Sequence, residues 1–290
     1  MFDQRSLVDK AGTRMIDSHL HVWTIDPERY PWQQTLQHIA IPTEPARVEE
    51  LVPLMDAAGV DYALAVQPSV YGWDNRYLCD CIDSYPDRLI GVCLVNPHAA
   101  DAAERLRYWC AERGCRGLRI NTIGQPDANW LLAHRLEPLW AEAIRLAVPL
   151  CLQVNVAHAQ AVAQLADQHP ELTIIVDYFG AEAFRLGSPV EFVGAVAARE
   201  NILCKILLVA QDSREPWPFR DLLPFYRQVV DAFGPSRLLY GAEFPYVRAY
   251  TTYERAMCWL DTWPFLSAND REAILDRTAR CVWPKHAASA

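Results

Sequence analysis

The stretch Met15–Trp23 reads MIDSHLHVW and sets two imidazoles, His19 and His21, two residues apart with Asp17 in the same alternating register. Farther along, Arg119 stands in RGLRIN, Gln153 and Asn155 in CLQVN, Lys205 in ILCKILL, and Glu243 just past Gly241. These types hold anions, bind metals or move protons. Each also has a plain structural alternative. The histidines could be satisfied core residues, and Lys205 and Arg119 could bridge carboxylates for stability. Gln153 and Asn155 could simply pack and hydrogen-bond, and Asp17 is read as fixing a histidine or a loop. Convergence separates the two readings. An unpaired buried lysine or arginine costs several kcal/mol, so it must find partners or a ligand. Polar groups near the ends of several strands are hard to explain by core packing.

The elements that must position these groups are legible as apolar runs. They end near Asp17, Gln67, Asn96, Asn121, Asn155, Asp177, Lys205 and Gly241, are rich in Val, Ile and Leu, and mostly run into turn residues. Such runs are strand signals for a buried parallel sheet. Strand side chains alternate between faces, so Leu118 and Ile120 share one face, Arg119 and Asn121 the other. Gln153 and Asn155 likewise oppose Leu152 and Val154.

Helical stretches lie between the strands. In ARVEELVPLMDAAG, Val48, Leu51, Val52 and Met55 form one apolar stripe, and Gly59 supplies a stop. Pro53 predicts a kink there or a later start. DLLPFYRQVVDAFG repeats the pattern, with Pro224 suited to a first turn. EPLWAEAIRLA and AHAQAVAQLADQHP also read as helices. Eight strands alternating with helices predict an α/β fold, a distorted (β/α)8 TIM barrel. It is read as a single domain over residues 1–290, with 1–14 as an N-terminal extension. An open doubly wound sheet is the alternative, but no glycine-rich phosphate loop follows an early strand. A barrel gathers its active site at the C-terminal ends of its strands.

Composition excludes some partners. The formal net charge is -9 and no Lys/Arg run occurs, which argues against nucleic acid or an anionic membrane as partner. A local basic pocket could still take an anionic small molecule. The nine cysteines form no CxxC pair, and Met1–Arg14 has no apolar leader core. Reduced thiols and a cytoplasmic location are therefore expected. The apolar runs are strand-sized, so no transmembrane helix is expected.

On these residues the chain resembles the amidohydrolase superfamily. The match is to the amidohydrolase-related group that includes sugar-lactone hydrolases and 2-pyrone-4,6-dicarboxylate lactonase. MIDSHLHVW, IDPERYPW, VQPSVYGWDNRYL, YPDRLIGVCLVNP, RGLRIN, HPELTIIVDYFG and FGPSRLLYGAEFP carry the resemblance in order, over nearly the whole chain. Three places depart from the pattern. Asp177-Tyr178-Phe179-Gly180 replaces the usual Asp-His-x-Gly, and Gly241-Ala242-Glu243-Phe244-Pro245 replaces Gly-Ser-Asp-x-Pro. Gln153 stands where metal-dependent relatives often carry histidine.

The resemblance implies hydrolysis of a small carboxylated or hydroxylated cyclic ester, a lactone. Glu243 would activate water, and His19 and His21 would polarise the carbonyl directly or through a divalent metal, zinc or manganese. His19, His21 and Glu243 form the implied ligand set. Tyr178 would donate to the developing oxyanion. Arg119 and Lys205 would bind an anionic substrate group. Gln153 and Asn155, Tyr71, Trp73 and Asn75 after the second strand, and Arg248 after the eighth complete the implied substrate contacts. Barrels of this type often self-associate into homo-oligomers. Two alternatives stay open: a decarboxylase or isomerase moving a proton at carbon, and a non-catalytic ligand-binding barrel.

Overall fold

The computed structural model describes residues 14–33, 40–122, 127, 129–178 and 190–284, without the side chains of 178, 190 and 191. Eight strands run in chain order: β1 (Met15–Leu20), β2 (Val60–Val66), β3 (Leu89–Leu94), β4 (Leu118–Asn121), β5 (Leu150–Gln153), β6 (Ile174–Tyr178), β7 (Ile202–Leu207) and β8 (Leu238–Gly241). Each pairs in parallel with the next. Backbone bonds from Glu243 N to His19 O (3.1 Å) and from His21 N to Phe244 O (2.7 Å) tie the end of β1 to the turn after β8. The sheet is thus a nearly closed TIM barrel, as the alternating runs predict. The expected N-terminal extension lies, apart from Arg14, outside the described residues.

Helices occupy the crossovers, among them Val48–Ala58, Glu137–Arg145, Ala159–Gln168 and Leu223–Phe233. The first runs through Pro53 instead of starting after it. Pro53 lies on the exposed face near the N-terminal end, and the Glu49 residue whose carbonyl it leaves unpaired is also exposed. Water can satisfy that carbonyl, so the proline is tolerated. Gly59 ends the helix at φ 73°, in the left-handed region glycine adopts without strain.

The two strand faces bury different partners. Ile16, Tyr62, Leu64, Val66, Ile90, Val92, Cys151, Ile175 and Leu239 cluster with Ala279 and Trp283. Because the C-terminal Trp283 joins residues from the starts of strands, it plugs the N-terminal end of the barrel. Its Nε1 donates to Arg116 O (2.8 Å), and Tyr62 donates its hydroxyl to Trp283 O (3.1 Å). With that end filled by apolar groups, the polar residues collect at the other. All nine cysteines are free thiols. No helix among the described residues is long and apolar enough to cross a membrane.

Candidate active site

The site is built where β1 and β8 end. Asp17 is fully buried. Its Oδ1 accepts the backbone N–H of His19 (3.1 Å) and of Ala242 (3.0 Å), and its Oδ2 accepts the Tyr253 hydroxyl (2.9 Å). One carboxylate thus anchors both strand ends. Burial still pushes its pKa up to about 6 against those hydrogen bonds. Gly241 permits the close approach: a Cβ there would lie 2.5 Å from His19 Cβ. Glu243 follows at φ 61°, a conformation that strains a non-glycine residue by about 1–3 kcal/mol. Its N–H bonds to His19 O and its carbonyl accepts Val247 N–H (3.0 Å), so both sides hold the strained turn.

This turn brings Glu243 Oε1 to 3.2 Å from His19 Nε2. The two imidazole rings meet edge to face at 5.0 Å. His21 Nδ1 lies 2.8 Å from the Val66 carbonyl. A carbonyl only accepts, so that nitrogen carries the ring proton and Nε2 keeps a free lone pair. Burial first, then the nearby cations, holds His19 well below the usual histidine range. Burial likewise lowers His21 to about 4. Both imidazoles are neutral at neutral pH. Glu243 shifts the other way, up to about 7, because desolvation of its carboxylate outweighs the pull of Arg119.

Behind this trio lies a buried charge network. Asp177 receives Arg119 Nη1 on Oδ2 at 2.6 Å and pairs through Oδ1 with Lys205 Nζ at 2.8 Å. Arg119 also donates to Gln153 Oε1 (2.9 Å) and Asn121 Oδ1 (3.0 Å), and Asn121 donates to Ser69 Oγ (2.9 Å). Two cations share one carboxylate, leaving an excess positive charge beside Glu243.

A cleft of about 570 Å³ opens above these groups, lined by His19, His21, Arg119, Gln153 and Glu243 of the residues singled out in the sequence. Other groups named there sit elsewhere. Lys205 is buried beneath the site, facing Asp177 and His19 instead of the cleft. Asn155 caps the turn Val156–His158, accepting from Ala157 N at 3.1 Å. Tyr71 is buried, exchanges hydrogen bonds with the Thr24 backbone and stacks on Trp32 at 4.6 Å. Asn75 is buried against Leu94, donating to its carbonyl and accepting its N–H, and donates to the carbonyl of half-buried Trp73. Arg248 is exposed and pairs with Glu50 (3.4 Å). The Tyr178 side chain lies outside the described residues.

Sequence reasoning left out Asp177, Gln67, Ser69 and Gln211. Alternation would have found Asp177, which stands one strand away from Lys205 in a run whose Ile175 faces the barrel interior. The loop residues Ser69 and Gln211, and Gln67 just past β2, carry no periodic signal.

One donor atom from each of His19, His21 and Glu243 lies within 4.8 Å of the others. Two neutral imidazoles and a carboxylate match the ligand chemistry of a catalytic divalent metal. His21 fits best, since the Val66 carbonyl orients its ring and leaves Nε2 free.

A family model described as Amidohydrolase matches residues 16–285. An L-fucono-1,5-lactonase from Burkholderia ambifaria is 27% identical over 255 residues, 86% of each chain. A 4-sulfomuconolactone hydrolase from Rhizobium radiobacter is 26% identical over 237 residues, 79% of this chain and 75% of the relative. Among solved structures, an amidohydrolase from Burkholderia multivorans with bound zinc superposes with a TM-score of 0.76 at 22% identity. That superposition covers 92% of this chain and 98% of the other.

Proposed function

Because the chain belongs to the amidohydrolase family, we propose that it is a hydrolase opening a small carboxylated or hydroxylated lactone. The observation that carries this reading is the meeting of Glu243, His19 and His21 in one cleft, with the carboxyl raised to about 7. The two curated relatives named for lactones support the substrate class. A base is most effective when its pKa lies near the working pH.

Glu243 takes a proton from water, and the water oxygen attacks the lactone carbonyl carbon. Neutral His21, with its only N–H on Val66, has none left to polarise a carbonyl directly. Its Nε2 can instead accept from the attacking water, and direct polarisation falls to His19. Arg119, with one face on the cleft, binds the anionic or hydroxyl group of the substrate, and Gln153 orients it. Tyr178 is the proposed donor to the developing oxyanion. As the ring C–O bond breaks, the proton held by Glu243 passes to the leaving alkoxide.

His19, His21 and Glu243 would hold a divalent cation, zinc or manganese. When bound it would supply Lewis-acid polarisation of the carbonyl and a more acidic water.

The test is a screen of purified protein against aldonolactones and pyrone-type dicarboxylate lactones, read by acid release. Ring opening by the wild type is expected; no turnover of any lactone would overturn the reading.

A further inference from the structure

Lys205 comes off β7 with its side chain wholly buried. Its Nζ lies 2.8 Å from Asp177 Oδ1, 3.4 Å from His19 Nδ1 and 3.9 Å from Cys151 Sγ. An ammonium has three N–H donors and no lone pair. The contact with Asp177 is an ion pair without hydrogen-bond alignment, whereas the contacts with His19 Nδ1 and Cys151 Sγ are hydrogen bonds, so the Nδ1 that faces the ammonium must be a bare ring nitrogen. A neutral imidazole carries a single ring proton. If Nδ1 faces an ammonium, that proton sits on Nε2. The carboxylate oxygen that could draw it back, Asp177 Oδ2, is 3.8 Å from Nδ1, beyond hydrogen-bond reach, and already accepts Arg119.

We propose that Lys205 is a positioning residue that fixes His19 as the Nε2–H tautomer, opposite to the Nδ1–H tautomer of His21. The His19 Nε2 that bears this proton lies 3.2 Å from Glu243 Oε1. The HxH pair then presents one donor and one acceptor. With substrate bound, His19 donates to the carbonyl oxygen as it gains charge. His21 accepts from the water that Glu243 deprotonates. The role of this proton rests on the lactonase reading; its location does not.

The same arrangement bears on metal binding. A cation can take His19 Nε2 only after the ring proton leaves it, and Lys205 denies that proton the Nδ1 position. Lys205 thus holds down the affinity of the His19–His21–Glu243 set for a divalent cation, without touching any position where the ion would sit.

The test uses the wild-type protein without substrate. Long-range 1H–15N spectra of 15N-histidine-labelled protein report which ring nitrogen bears hydrogen, with His19→Gln and His21→Gln variants assigning the signals. The expected result is hydrogen on Nε2 of His19 and on Nδ1 of His21. Hydrogen on Nδ1 of His19 overturns the proposal, whether or not a lactone is hydrolysed. In Lys205→Met, the Nδ1–H form of His19 should become populated and zinc should bind roughly ten- to a hundredfold tighter, the usual reach of groups behind a ligand. A folded Lys205→Met protein with unchanged tautomer and zinc affinity would equally overturn it. Should that variant fail to fold, the wild-type spectrum decides alone.

Discussion

Glu243 Oε1 stands 3.2 Å from His19 Nε2, joining the turn after the last strand to the end of the first. Backbone bonds run beside this contact in both directions, and the Asp17 carboxylate holds both segments from below. The distance is therefore set by the closure of the barrel, and several measurable properties depend on it.

Activity and stability should respond oppositely to pH. As the proposed base, Glu243 would work only when ionised, so kcat/KM of the metal-free enzyme should rise with pH through about 7. For stability, the folded pKa lies above the ordinary 4.5. The contribution is fully present below 4.5, declines as the unfolded chain ionises, and is lost once pH passes about 7. The span corresponds to a loss on the order of 3 kcal/mol. Urea denaturation across this range should show the slope in the wild type and a flatter one in Glu243→Gln. Identical slopes would contradict the shift.

Asp177 balances two buried cations, so Asp177→Asn should be among the most damaging single changes. Removing one partner from a buried ion pair typically costs about 3–5 kcal/mol. Chemical denaturation of the variant should show a loss of that size. A loss under about 1 kcal/mol would place the network among weakly coupled surface pairs.

Gly241→Ala tests the approach of β8 to β1. The added methyl would meet His19 Cβ at 2.5 Å and Leu207 Cδ2 at 2.8 Å. Overpacking of this kind costs about 1–3 kcal/mol. Catalysis is sensitive to displacements of about 1 Å, so kcat should fall along with thermal stability. Unchanged kcat would mean that the site does not depend on this contact.

Turnover in heavy water separates hydrolysis from proton transfer at carbon. The ring-opened product should carry deuterium only at exchangeable positions when examined by mass spectrometry. Deuterium at carbon without ring opening would favour an isomerase or decarboxylase.

The barrel was legible because each buried strand announces itself as an apolar run stopped by turn residues. Arg119, Asn121 and Gln153 were placed on a shared polar face by alternation alone, and the structure joins them by hydrogen bonds. Alternation gives a face but not a depth. Lys205 therefore looked like a substrate ligand, although its ammonium lies under His19 against Asp177. Asn155 has the right parity, but the chain has left β5 by then and its side chain caps a helical turn. Tyr71 and Asn75 follow β2 in a loop, where no period constrains direction, and both turn inward to satisfy backbone groups. The register of β1 shifts between Asp17 and Leu20. Regular alternation therefore does not describe how Asp17, His19 and His21 sit relative to one another.

The most direct measurement is the kcat of Glu243→Gln on the lactone that the wild type opens fastest, with folding checked by thermal melting. Glutamine keeps the size and the backbone demands of glutamate but cannot take a proton from water. The expected result is a folded protein whose kcat falls by about 10²–10⁴, the usual contribution of a positioned base. A folded variant that opens the lactone at the wild-type rate would contradict Glu243 as the base.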